Sequence, residues 1–136
     1  MAKEYSYTAF EDLEGSAFVR PIIPMKLTLG GRSIDADALL DTGSDANVLP
    51  YQLGLELGLK WGDAAPFPGL SGNLSKSEAR AIILDVSIDI FDPVRMIFVW
   101  IKADTARLLL GQVNFFREFN VCFYAPRGFF EVNPKD

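Results

Sequence analysis

The 136-residue chain has no histidine and one cysteine, Cys122. Without histidine, Ser-His-Asp and Cys-His catalysis are excluded. Zinc sites that need imidazole are excluded too. A lone cysteine rules out an internal disulfide, and any metal site or iron–sulfur cluster held by four cysteines of one chain. Long apolar runs are also missing. The longest, residues 96–101, has the length of a strand and not the roughly 20 residues of a membrane helix. The opening stretch, MAKEYSYTAFEDLEG, has no basic start followed by an apolar block, so no secretory signal is expected. Positive charge is scarce: 13 Lys and Arg stand against 18 Asp and Glu, for a formal net charge of −5. Such a surface repels phosphate backbones, so nucleic acid is not an expected partner, and without a membrane-length apolar run neither is a membrane. A cytoplasmic protein without metal or organic cofactor is the expectation. The catalytic vocabulary that remains is carboxylates, Lys, Tyr, Ser, Thr and backbone amides.

What is present suits a single globular domain over residues 1–136. Hydrophobic residues make up 49% and aromatics 12%, enough to bury a core. The dominant period is two. Met25, Leu27 and Leu29 alternate with polar residues, Gly30-Gly31 marks a hairpin turn, and Ile34, Ala36, Ala38 and Leu40 resume the alternation. A longer case runs from Ile82 to Ile90 and predicts a strand with one wet face. The segment VRMIFVWIK is apolar on both faces and belongs at the centre of the fold. Helical signals are brief: residues 50–58, and residues 113–119, where Phe115, Phe116 and Phe119 share a face. The end, NVCFYAPRGFFEV, predicts a hairpin turning at Pro126-Arg127-Gly128, with Cys122 a buried core thiol and Trp61 and Trp100 packing residues. Roughly six to eight short strands give an all-β, barrel-like architecture.

The sharpest feature is ALLDTGSDANVLP, residues 38–50. An apolar strand runs straight into Asp41, and Thr42, Gly43 and Ser44 follow in a tight loop. Gly43 lets the backbone turn or approach a ligand closely, and Ser44 is placed to hydrogen-bond the Asp41 carboxylate. The carboxylate is thereby held in a partly dry place. The plain reading of the same residues is a β-turn or Asx-turn with Asp41 structural, in a barrel that binds a small ligand. A fainter echo, RLLLG at residues 107–111, repeats the apolar run and the glycine without the acid.

LLDTGS followed by VLP, a Gly-rich loop and then Leu109-Leu110-Gly111 before a short helix resembles the retropepsin-like aspartic proteases, from about Pro21 to Tyr124. The resemblance implies a closed β-barrel acid-protease fold, one lobe per chain, with one short C-terminal helix. Residues 1–20 would be an N-terminal arm and 125–136 a C-terminal hairpin arm. It implies an endopeptidase in which Asp41 is the catalytic carboxylate, supported by Thr42, Gly43 and Ser44. A flap over residues 66–78 would have Gly69, Leu70, Ser71 and Gly72 at its tip. Gly43, Asp45, the flap tip, Arg107 and Leu109 would contact an extended peptide or protein substrate. For Leu109, simple core packing stands as an equal alternative. The chemistry needs two carboxylates sharing a proton. The chain has one Asp-Thr-Gly, so a homodimer with Asp41 on the two-fold axis is implied. A binding or scaffolding module on the same fold, without catalysis, is the alternative. Viral members carry an arginine where this chain has Gln112, which would hydrogen-bond Asp45 without an ion pair. The C-terminal arm would replace or extend the sheet by which the termini build the dimer.

Overall fold

A computed structural model of the chain describes residues 1–66, 78–103 and 105–136. The N-terminal third holds β1 (Lys3–Ser6), β2 (Thr8–Glu11), β3 (Ala17–Arg20), β4 (Ile22–Leu29) and β5 (Arg32–Leu40). β6 (Asn47–Pro50), α1 (Tyr51–Glu56), β7 (Ala65–Pro66), β8 (Glu78–Ser87) and β9 (Val94–Lys102) follow. The last third holds β10 (Leu109–Leu110), α2 (Phe115–Glu118), β11 (Phe119–Tyr124) and β12 (Phe129–Pro134). Strand makes up 56% of the structure. These twelve strands exceed the expected six to eight because the termini add short strands of their own, and β7 and β10 are only two residues long.

The period-two segments fold as their patterns require. β4 and β5 are antiparallel with Leu29 opposite Arg32, which leaves Gly30-Gly31 as the turn. Ile23, Met25 and Leu27 point inward and Pro24 and Lys26 outward. The sheet order β4-β5-β10-β6-β9-β8 closes into a six-stranded barrel through the β4–β8 pairs Lys26–Ser87, Leu27–Val86 and Thr28–Asp85. Closure removes the exposed edges an open sheet would carry. β9 lies between β6 and β8, and its Met96, Phe98, Val99, Trp100 and Ile101 are all buried, as its two-faced apolarity predicts. The alternation from Ile82 runs past the end of β8. The strand stops at Ser87 because the chain turns there: Asp89 has φ 52°, and the Phe91 amide bonds the Ile88 carbonyl at 3.0 Å.

Both brief helical signals form helices, α1 within residues 50–58 and α2 within residues 113–119. α1 begins directly after Pro50 and seats on Trp100, whose indole nitrogen donates to the Tyr51 carbonyl at 3.0 Å. A side chain at Gly54 would drive into that indole ring, so glycine is required by contact, at some cost to helix propensity. Trp61 packs edge-on against Trp100 at 4.8 Å, and both tryptophans act in packing. α2 is one turn, shorter than residues 113–119, because Phe119 already starts β11. Phe115 and Phe119 stack at 5.1 Å in the core. No described helix is long and apolar enough to cross a membrane.

A second sheet, ordered β1-β12-β11, joins the two ends of the chain. The C-terminal hairpin turns at Ala125–Arg127 and Gly128, as the sequence predicts. β12 is its central strand, and Phe130 and Val132 are fully buried beneath Tyr5 and Tyr7. The Tyr5 hydroxyl donates to Asp89 at 3.1 Å, tying this sheet to the barrel. Burial, then the hydrogen bond and charge of Asp89, raise the Tyr5 pKa, so the hydroxyl stays protonated and remains a donor. Cys122 is exposed, which corrects the expectation of a core thiol. It lies on a strand at the sheet's edge, opposite Glu131, so its side chain faces outward while Phe123 sits opposite the buried Phe130.

Candidate active site

The site begins with a register. β10 runs parallel to β5, with Leu109 beside Leu39 and Leu110 beside Leu40. The two copies of the sequence echo thus lie side by side. Leu40 and Leu110 point into the core, 4% and 0% exposed. Leu39 and Leu109 leave the opposite face and are half-buried. Asp41 follows Leu39 by two positions, and side chains two apart on an extended chain share a face. Leu109 therefore stands on the Asp41 side of the barrel wall, not in the core.

After Leu40 the chain leaves the sheet and folds back as a tight loop. The Asp41 amide donates to the Leu110 carbonyl at 3.0 Å, which extends the β5–β10 ladder to the acid itself. The Gly43 amide donates to Asp41 Oδ1 at 3.0 Å, fixing one carboxylate oxygen. Ser44 does not reach that carboxylate. Its hydroxyl donates to the Ala46 carbonyl at 2.7 Å, because the loop turns its Oγ toward the following backbone. Asp41 is half-buried, and Thr42, Gly43 and Asp45 are exposed.

The loop is locked from behind by the segment after β10. The Gln112 amide donates to the Ser44 carbonyl at 2.9 Å, and the Val113 amide to the Asp45 carbonyl at 3.0 Å. The Gln112 side chain donates to the Thr42 carbonyl at 2.9 Å. Its partner is therefore a backbone carbonyl of the loop rather than the Asp45 carboxylate, because its own amide is already pinned behind Ser44. Gly111 makes this proximity possible: a Cβ there would lie 2.6 Å from the Ser44 carbonyl oxygen and closer still to that of Ala46.

Asn47 was not singled out by sequence reasoning, yet it is a hub of the site. It is fully buried. Its Oδ1 accepts from the Gly111 amide at 2.9 Å and its Nδ2 donates to the Ile97 carbonyl at 3.0 Å. A second amide, Asn114, accepts the Ile97 amide at 3.1 Å. A buried side-chain amide must find partners, and these tie the acid loop, β9 and the turn before α2 together. The available signal was an amide heading the apolar run Val48-Leu49, a placement that burial makes costly unless satisfied.

Arg107 lies exposed on the loop before β10, with its guanidinium 5.8 Å from the Phe10 ring centre. Gly69, Leu70, Ser71 and Gly72 lie outside the described residues. Among the described residues no group of three or more acidic or thiol side chains is placed to hold a metal ion.

Neither a family model nor a curated protein sequence matches the chain. Solved structures do match it. A retropepsin-like aspartic protease from Rickettsia conorii superposes with a TM-score of 0.62 at 16% identity, over 98% of this chain and 92% of that one. EIAV protease in complex with the inhibitor HBY-793 gives 0.55 at 19% identity, over 68% and 82%. The retroviral protease-like domain of Ddi1 from Leishmania major gives 0.55 at 14% identity, over 74% and 80%. The chain has the retropepsin-like aspartic-protease fold.

Proposed function

We propose that this protein is an aspartic endopeptidase that works as a homodimer, with Asp41 of each subunit forming the catalytic pair. The observation that carries the reading is Asp41 itself. It follows β5 directly, on the side of the barrel wall that Leu39 and Leu109 face, with Oδ1 held by the Gly43 amide on a loop pinned from behind.

The pair would hold one water. The ionised carboxylate takes a proton from it as the oxygen attacks the peptide carbonyl carbon. The protonated carboxylate gives its proton to the carbonyl oxygen. The resulting gem-diol collapses, the C–N bond breaks, and the amine leaves with a proton returned by the pair. Two carboxylates about 3 Å apart cannot both ionise, so they share one proton. Their titration belongs to the pair.

The position matching Asp41 on the neighbouring strand is Gly111, so that strand supplies no second acid. A two-fold axis through the Asp41 loop supplies one, since an isologous interface sets identical groups face to face. Thr42, beside Asp41, would then lie at this interface. The substrate is an extended peptide added as a strand, lying over Gly43, Asp45, Arg107 and Leu109. The lone thiol suits a reducing compartment, and the cytoplasm is the proposed setting.

The test is cleavage of an unfolded protein mixture by wild type and Asp41→Asn from acidic to neutral pH, with sedimentation of both. A dimer is expected, with cuts strongest at acidic to mildly acidic pH. In the variant the rate falls by about 10²-fold or more. Rates that keep climbing above neutral pH would contradict the shared proton. A confirmed dimer that never cuts would favour a peptide-binding module, and a monomer at high concentration a structural role for Asp41.

A further inference from the structure

The face that carries Asp41 also carries the N-terminal hairpin. Among the described residues β2 and β3 pair only with each other, and an isolated two-stranded hairpin is marginal in water. A column of side chains holds this one. The Arg20 guanidinium lies 4.6 Å over Phe18, and Phe18 stacks on Phe10 at 5.5 Å and 17°. At the other end, Arg107 stands 5.8 Å from Phe10. Cations at both ends of a stacked aromatic pair are each attracted to a ring face. The column thus fastens the hairpin to the loop that precedes β10.

Between hairpin and barrel is a cavity of about 340 Å³, lined among others by Thr8, Phe10, Asp37, Leu39, Arg107 and Leu108. Leu39 shares its strand face with Asp41, so cavity and carboxylate lie on one side of the barrel wall. Phe10, Leu39 and Leu108 make an apolar body. Arg107 and Asp37 bring opposite charges, so each offsets the pull of the other, and an ionised side chain of either sign would lose hydration there without a net electrostatic gain. The volume falls in the range of pockets that enclose small organic groups.

We infer that the β2–β3 hairpin is a specificity wall of the substrate cleft, and that this cavity receives a large, uncharged apolar or aromatic side chain of the peptide. The inference rests on the peptide-cleft reading above and adds Phe10 and Thr8 as residues that select substrate. Arg107 is thereby a residue positioned by Phe10 that excludes basic side chains.

The experiment profiles the full chain on a peptide library in two ways: cleavage by active protein, and binding by the Asp41→Asn chain. Phe10→Ala should lower the preference for large apolar residues at one peptide position by roughly ten-fold, the scale of a lost pocket contact. Arg107→Ala should admit Lys and Arg at that same position, because Asp37 is then left without its opposing charge. Arg107 is exposed, so that variant carries the test if Phe10→Ala fails to fold. Cleavage that depends on Asp41 but keeps the wild-type preferences in both variants overturns the pocket and leaves the protease reading standing. Selective binding that shifts in both variants, with no cleavage by any form, keeps the pocket and overturns the protease reading. Neither cleavage nor binding of any peptide overturns both.

Discussion

Two strand ends lie side by side in this barrel. β5 ends Leu39-Leu40 and β10 is Leu109-Leu110, in parallel register, with Asp41 the next residue after one and Gly111 the next after the other. Their leucines do the same things: one of each pair enters the core and the other is half-buried on the opposite face. The final residues diverge. Asp41 presents a carboxylate held by a loop amide, while Gly111 presents no side chain and lets that loop pack against its backbone. The acid can be held rigidly at one strand end because the other end has given up its Cβ. A carboxylate at both ends would cost the loop its seat, and this is the internal reason for expecting the second acid from another subunit.

The comparison can be broken in three graded ways. Leu110→Ala removes a fully buried side chain and should cost about 2–5 kcal/mol in a urea melt. Leu109→Ala, on the half-exposed face, should cost well under half as much and change which peptides are cut. Equal losses would mean that the two faces are assigned wrongly. Gly111→Ala adds one methyl against two loop carbonyls. It should destabilise by about 1–3 kcal/mol and depress cleavage further, as measured where the variant is still fully folded. An unchanged rate at lower stability would detach the loop's seat from the chemistry. Gln112→Ala removes the side-chain bond to the Thr42 carbonyl and is the smallest effect, about 0.5–1.5 kcal/mol. Its signature would be faster amide exchange over residues 42–45 rather than a large melting shift.

Much of the fold was legible in the chain because alternation and turn chemistry act between neighbours. The Gly30-Gly31 hairpin, the buried β9 and the turn before Phe129 all follow from residues within a few positions of one another. Misreadings arose where the outcome depended on a distant partner. Cys122 sits in an apolar-looking strand, but that strand lies at an edge and nothing described covers its outer face. Ser44 reads as a partner for Asp41 until the loop's path sends its hydroxyl to Ala46. Asn47 looks like an unremarkable polar residue until burial forces its amide to bridge Gly111 and Ile97.

By itself, the sequence determined which residues alternate, where the chain turns, and that one acid follows an apolar strand into a glycine loop. Only the tertiary structure decided what that acid stands beside. Gln112 meets Thr42 across 70 residues of chain, and Leu109 meets Leu39 across the same span. Contacts of that kind are set by how the barrel closes, since each hydrogen bond and each inward face must be satisfied by whichever strand arrives next to it.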